Sequence, residues 1–244
     1  MKCIGGVWMN ALILMTRVPI PGKTKTRLME ILTGEECANL HIQFLMDIFK
    51  VCSRLVNDTD IYLTYTPKED LSYMKDMIPE YIDTFPQIGG DLGDKMDNAI
   101  DTVLHKGYKK VALIGTDIPE IQPSNIARAF SVLEDKDLCL GPTEDGGYYL
   151  IGMKKRNSQI FSSSINWGKK SVIEGTIDIA NRNNITVGFT CKCCDIDTKE
   201  DLMKFRDKMK DRTIKWEIFP QNTYKFINDI LFSKYHKIKI NTNS

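Results

Sequence analysis

The sequence predicts an α/β protein, one domain with a mainly parallel sheet between helices, and three observations lead there. Segments of strand character alternate with segments of helical periodicity along most of the 244 residues, the pattern that crossover connections produce. Val111 to Ile114 form a short all-apolar run closed by Gly115, as expected of a strand buried on both faces. A basic loop and a glycine-rich loop follow two other such strands, at the sheet edge where open α/β proteins bind ligands.

A chain of this length is expected to bury roughly 70–75% of its unfolded surface, so it needs no disulfide or metal to be stable. Lys and Arg number 33 against 32 Asp and Glu, a formal charge of +1, and no overall field selects nucleic acid or an acidic membrane. Seven cysteines, an odd number without framework spacing, point to reduced thiols and a cytoplasmic compartment. Cys191, Cys193 and Cys194 lack the second ligand pair of a zinc site and read better as buried strand cysteines. The apolar run after Lys2 carries no small-residue cleavage signal. No stretch reaches the ~18 apolar residues of a membrane span.

In order, Ala11 to Met15 predict the first strand, and Thr16 to Leu28 a loop stiffened by two prolines that passes into a helix at Leu28. Thr33 and Glu36 have capping-box spacing ahead of a long amphipathic helix reaching Leu55, with His41 a packed residue on or near its apolar stripe. Ile61 to Tyr65 predict a second strand, followed by a helix with Leu71, Met74 and Ile78, and Thr84 to Pro86 a third strand. The glycine-rich loop Gln87 to Asp94 precedes a helix burying Met96, Ile100, Val103 and Leu104. After the strand at 110–114, Pro123 suits the first turn of a helix with Ile126, Phe130 and Leu133 inward. Strands follow at Leu138 to Leu140 and Tyr148 to Met153, a helix after Trp167 to about Asn181, and a last strand at Ile185 to Cys191. Asp197 or Thr198 caps a further helix. Residues 1–204 form the domain, and 205–244 an appendage with a helix from Asn222 to Tyr235.

Three loops carry chemistry. Thr116 and Asp117 fall where Gly115 and Pro119 end the central strand. Asp117 there suits a hard divalent cation that neutralises nucleotide phosphates, although Asp beside Gly and Pro also suits a plain turn. Arg17, Lys23, Lys25 and Arg27 crowd the first loop, a pattern for polyphosphate. Gly22-Lys23-Thr24 is not the end of a Walker A loop, since Arg17 stands where that pattern requires Gly. Gly89, Gly90 and Gly93 allow close backbone approach to a base or sugar, with Gln87 as hydrogen-bonding partner. They also suit an ordinary tight turn. Glu144-Asp145-Gly146-Gly147 has hairpin character, and with Tyr148 it also suits a hydroxylated acceptor.

Taken together, Met15-Thr-Arg-x-Pro-x-Pro-Gly-x-x-Lys-Thr-Arg-Leu28, Gln87-x-Gly-Gly-Asp-Leu-Gly93, Gly115-Thr-Asp-x-Pro119, Gly141-Pro-x-x-Asp-Gly-Gly-Tyr-Tyr-Leu-Ile-Gly152, Asn166-Trp-Gly168 and Asp195-Ile-Asp-Thr-x-x-Asp-Leu202 resemble, in order, a bacterial glycosyltransferase-like family. That family includes proteins named for arsenosugar biosynthesis and is related to 2-phospholactate guanylyltransferase. The resemblance covers roughly residues 10–204 and implies a GT-A, nucleotide-diphospho-sugar transferase fold. It implies a transferase that takes a nucleotide or nucleotide-sugar donor and a small-molecule acceptor, with Mg²⁺ or Mn²⁺. Sugar transfer is the favoured expectation and nucleotidylyl transfer the alternative. Carried over by position, Arg17, Lys25, Thr26 and Arg27 are phosphate-loop residues and Asp117 the metal-binding carboxylate; with Gly22, Lys23, Gln87, Gly89, Gly90, Asp91, Gly93 and Thr116 they make up the expected nucleotide-binding set. Glu144, Asp145, Gly146, Gly147, Tyr148 and Trp167 meet the acceptor. Asp117 and Asp197 hold the metal, and Asp117, Asp145 and Lys25 are the catalytic expectations.

Overall fold

The central strands show no polar period because helices cover both sides of the sheet. The computed structural model describes residues 9–161 and 172–230. The chain runs β1 (Asn10–Arg17), α1 (Gly34–Cys52), β2 (Thr59–Thr66), β3 (Ile82–Pro86), α2 (Leu92–Leu104), β4 (Lys110–Gly115), α3 (Pro123–Asp135), β5 (Leu138–Pro142), β6 (Tyr148–Met153), α4 (Val172–Arg182), β7 (Val187–Phe189) and α5 (Lys199–Lys210), then a helical stretch over 221–230. The strands order as β3-β2-β1-β4-β6-β5-β7, and only β6 opposes its neighbours. In β4, Ala112 and Ile114 join one apolar cluster, Val111 and Leu113 the other, and all four are at most 3% exposed. Val111, Leu113 and Ile114 each contribute roughly 1.5–3 kcal/mol through burial.

Several expectations are corrected. Leu28 lies in a five-residue 3-10 turn, Thr26–Glu30, and the long helix starts at Gly34, where the Thr33–Glu36 capping box forms. Short 3-10 turns, Lys68–Tyr73 and Lys75–Met77, replace the helix with Leu71 and Met74, because Pro67 and Pro79 leave too little chain between them for a stable helix. α2 begins at Leu92, so the glycine loop ends at Asp91 and Gly93 is helical. β7 ends at Phe189; Cys191, Cys193 and Cys194 lie in irregular chain, exposed, buried and half-buried in turn, and Cys191 is no buried strand cysteine. Asn166-Trp167-Gly168 lies outside the described residues. No helix among the described residues is long and apolar enough to cross a membrane.

The expected boundary at 204/205 falls inside α5, whose Phe205 and Met209 share an apolar cluster with Leu40 and Phe44 of α1 and with Ile227. Asp47 of α1, 2% exposed, fastens the later helical stretch. It accepts hydrogen bonds from Asn222 N at 3.1 Å, Asn222 Nδ2 at 2.9 Å and Thr223 N at 2.8 Å, and so caps a helix from another part of the chain. Asp47→Ala is expected to cost roughly 2–4 kcal/mol, since these are bonds to a charged group. Urea unfolding would read this as a lowered midpoint, and an unchanged midpoint would refute the cap.

Candidate functional site

β1 and β4 pair in parallel with Met15 opposite Gly115, which brings the next residues, Thr16 and Thr116, side by side. Thr116 Oγ1 donates to Thr16 Oγ1 at 2.9 Å. Asp117 follows at the carboxyl end of the sheet and forms one wall of a cleft of about 690 Å³, within the size range of small-molecule sites.

The loop after β1 folds around Thr24. Its buried hydroxyl donates to Val18 O at 3.0 Å and accepts from Ile20 N at 3.0 Å, drawing 18–24 into a tight coil. Lys25 then takes a left-handed conformation, φ 53°, that non-glycine residues rarely adopt. This turns its side chain, 4% exposed, under the sheet edge. All three ammonium hydrogens find acceptors there: Asp117 Oδ1 at 2.7 Å, Asp197 Oδ1 at 3.0 Å and Ile196 O at 2.6 Å. Desolvation opposes the charge on Lys25, but Asp117 and Asp197 more than offset it, so its pKa lies above the ordinary value. For Asp117, desolvation pushes up while Lys25 and then His41 pull down, and the carboxyl ends below its ordinary range. Backbone strain at Lys25 is thereby tied to the carboxylate pair.

The sequence pattern places Lys25 among the phosphate contacts, whereas in the structure its ammonium hydrogens are occupied and it joins two carboxylates. Asp197 is brought in by Ile196 N, which donates to Asp117 O at 3.0 Å. Thr198, with Asp201, caps α5, so Asp197 is not the cap. Arg17, Lys23, Thr26 and Arg27 line the same cleft and are exposed. Arg27 lies only 3.6 Å from Asp197 Oδ2 and stays 73% exposed, leaving its fork open to an anion.

On the opposite wall, Gly90, Asp91, Leu92 and Lys95 face the cleft. Gly89 has φ +143°, and a Cβ there would meet the first turn of α2 at 2.7 Å, so the glycine is required by packing. Asp91 caps α2 through Asp94 N at 2.8 Å. Gln87 Nε2 donates to Thr16 O at 2.8 Å and Thr64 O at 3.2 Å, which ties two strand ends together and leaves only Oε1 for a ligand. Gly22, Gly89 and Gly93 shape the walls without lining the cleft.

The turn Glu144, Asp145, Gly146, Gly147 does not line the cleft, whereas Tyr148 and Tyr149 do. Asp145 Oδ1 accepts from Thr143 Oγ1 at 2.5 Å and Gly147 N at 3.1 Å, the bonds of a turn-forming aspartate. Gly141 lets the Tyr149 ring cross β5, since a Cβ there would fall 2.7 Å from it. Tyr149 then donates to Cys191 O at 3.0 Å, holding the 190–197 segment over the site. Three residues in or near the site carry no functional expectation from the sequence. Thr24 gave no signal beyond its place between two lysines. His41, 2% exposed, is packed as expected but also lies 3.5 Å from Asp117 Oδ1. Asp195, in the Asp195-Ile-Asp motif, is pushed up to about 6 by burial and then by Asp145 and Asp197.

Asp117 and Asp197 suit a hard cation: each keeps an oxygen, Oδ2, that Lys25 does not bind, and each side chain is over a third exposed. Among the described residues no group of three or more His, Cys, Asp or Glu could hold a metal by itself.

A mixed, mainly parallel sheet with such a cleft at the ends of β1 and β4 is a nucleotidyl- or nucleotide-sugar-transferase type of fold. The model of a family described as "Uncharacterized protein conserved in bacteria (DUF2064)" matches residues 52–169. The 2-phospho-L-lactate guanylyltransferase of Methanocaldococcus jannaschii is 28% identical over 157 residues, 64% of this chain and 64% of that protein. The enzyme of the same name from Methanocaldococcus fervens is 29% identical over 133 residues, 54% of this chain and 57% of its own. The chain thus matches less than two thirds of the length of these relatives. A solved structure from Desulfovibrio desulfuricans G20, given as a candidate nucleotide-diphospho-sugar transferase, is 29% identical, with a TM-score of 0.80 over 93% of this chain and 97% of that one. The 4-diphosphocytidyl-2C-methyl-D-erythritolsynthase of Anaerococcus prevotii, 12% identical, reaches 0.57 over 84% of this chain and 100% of its own, a likeness of fold alone. These findings carry the resemblance to guanylyltransferases and nucleotide-sugar transferases, not the arsenosugar subtype.

Proposed function

We propose that this protein is a metal-assisted nucleotidylyltransferase: a nucleoside triphosphate and a small anionic acceptor react, and pyrophosphate leaves. The observation that carries the reading is the carboxylate pair Asp117 and Asp197, joined by buried Lys25, in one cleft with the exposed cations Arg17, Lys23 and Arg27. Two carboxylates alone repel a triphosphate. Asp117 and Asp197 would hold a divalent cation, which would supply positive charge to offset that of the donor phosphates. Arg17, Lys23 and Arg27 bind the outer phosphates with charge-assisted bonds, and the Tyr149 face of the cleft leaves room for the acceptor. An acceptor oxygen forms a bond to the α-phosphorus while the bond from that phosphorus to the bridging oxygen of the β-phosphate breaks. The 28–29% identical relatives are named as guanylyltransferases, which supports a triphosphate donor.

A second reading, sugar transfer from a nucleoside diphosphate, is supported by the name of the 29% identical structural relative. The two separate in one experiment with purified protein and Mg²⁺. Each triphosphate is incubated with small phosphorylated and carboxylated hydroxy acids, and pyrophosphate is measured; nucleotide sugars are tested alongside. Pyrophosphate formed in step with acceptor is the expected result. Consumption of a nucleotide sugar, with no pyrophosphate from any triphosphate, would replace the reading with sugar transfer. Arg27→Ala is expected to weaken triphosphate binding about 10-fold or more, the loss of one charge-assisted contact, while leaving the fold intact. Calorimetric titration of the triphosphate checks this, and unchanged affinity would exclude Arg27 from the phosphate site.

A further inference from the structure

Four glycines lie within strands among the described residues, and three of them stand where a side chain has little or no room. A Cβ at Gly141 would fall 2.7 Å from the Tyr149 ring, one at Gly152 3.1 Å from Leu133, and one at Gly188 2.5 Å from Val132. Gly115, the last residue of β4, is different. A Cβ built there meets nothing within 4 Å among the described residues, and its φ lies outside the left-handed region. Neither packing nor backbone conformation therefore calls for glycine at 115. A strand glycine with open space beside it is a place where a ligand can approach the backbone closely.

That space is an apolar recess of the cleft. The period of two puts Leu113 and Gly115 on the α2 face of the sheet, and Met15, opposite Gly115 on β1, shares that face. On β6, Ile151 lies opposite Leu113. The register shift between Gly141 and Pro142 makes Tyr149 the extra residue of a bulge, so Tyr148 packs on the α2 face and Tyr149 on the other. Met15, Leu113, Tyr148, Ile151 and, from α2, Met96 all line the cleft. Leu113, Ile151 and Met96 are at most 5% exposed and mark its deep end. Thr16 and Thr116, one residue further along their strands, turn instead to the α1 face, where Thr16 meets His41. Cations stand at the rim: Arg17, two residues beyond Met15, and Lys95, beside Met96, line the same cleft.

We propose that Gly115 keeps this recess open for the apolar side group of the acceptor, and that the acceptor class is a small organic acid bearing such a group. A nucleobase fits the recess poorly, because its ring edge would leave donors and acceptors unpaired against methionine, leucine and isoleucine. A compact apolar group loses nothing there, and the rim cations suit an attached carboxylate or phosphate. That the occupant is the acceptor rests on the nucleotidylyltransferase reading; the chemistry of the recess does not.

Methionine methyl groups labelled with carbon-13 report on the recess directly. The chain has 11 methionines, and Met15→Leu and Met96→Leu assign the two signals that matter. Glycolate, lactate and 2-hydroxyisovalerate, whose side groups run from hydrogen to isopropyl, are titrated into the whole protein, each also as its phosphate ester, with GTP and Mg²⁺ and without. The Met15 and Met96 signals are expected to move with the lactate and hydroxyisovalerate compounds. The lactate compound is expected to bind about 10-fold tighter than its glycolate counterpart, the effect of one methyl in an apolar pocket. Gly115→Val, whose side chain enters the recess, is expected to lose that preference while its GTP affinity in calorimetry stays that of the parent. Met15→Ala, which enlarges the recess and serves if Gly115→Val does not fold, is expected to favour hydroxyisovalerate over lactate more than the parent does. Signals unmoved by any of the acids, or a preference unchanged in both variants, overturn the proposal. Weakened GTP binding by Gly115→Val also overturns it, since the recess then holds part of the donor. Methyl shifts with the expected preference, but no pyrophosphate from any triphosphate, overturn the nucleotidylyltransferase reading instead and leave the recess a site for apolar acids.

Discussion

Lys25→Ala is expected to abolish turnover and to destabilise the domain by about 1–3 kcal/mol. Removing one partner of a buried ion pair costs about 3–5 kcal/mol, but Asp117 and Asp197 are 46% and 38% exposed and water screens part of what they lose. Two carboxylates would then face each other across the cleft without the ammonium between them. The pH dependence has a definite sign. Asp117 is held below its ordinary value of 3.8 in the folded state, so its contribution is complete above that value and is lost as pH falls through the lower folded one. Lys25 is raised above 10.5, so its contribution holds below that value and is lost as pH rises through the higher folded one. Denaturant midpoints across pH should show parent and variant farthest apart between these limits and converging outside them. Lys25→Gly separates ion pairing from backbone strain, since glycine accepts φ 53° without penalty. A glycine variant as stable as the parent would mean that the ion pairs do no more than offset the backbone strain.

Asp117→Asn is the second large effect, here on chemistry. The amide keeps the shape and can still accept from Lys25, which also retains Asp197 and Ile196 O, so unfolding should shift by only about 1 kcal/mol. Turnover, by contrast, is expected to fall on the order of 10²–10³-fold, because one formal charge is removed from the group proposed to hold the cation. Thermal unfolding gives a readout independent of catalysis. Triphosphate at about 100 times its dissociation constant stabilises the parent by ~2.7 kcal/mol, and this gain should require Mg²⁺ or Mn²⁺ in the parent but not change with metal in the variant. Persistent metal dependence in Asp117→Asn would remove Asp117 from the metal site.

The sequence by itself determined the layout. The all-apolar run at 111–114 read as a strand covered on both sides, Tyr148–Met153 matched its predicted span, and Thr33 with Glu36 marked the start of α1, because these signals depend on neighbours within a few residues. Local patterning also placed the polar loops at the carboxyl ends of the strands that carry them. It failed where competition between local preferences was decided by packing: Leu28 looked like a helix start, yet Thr24 coiled the loop and only a 3-10 turn remained. The tertiary structure alone decided which groups meet. Lys25 lies 172 positions from Asp197, and whether an exposed-looking lysine binds phosphate or joins two carboxylates depends on Ile196 pairing with Asp117 across the sheet edge. Asp145 and Gln87 show the converse, polar residues in the right loops whose bonds the turn and the strand ends had already taken. Sequence spacing records which hydrogen-bonding groups are available; only the fold brings distant acceptors within 3 Å and thereby assigns them.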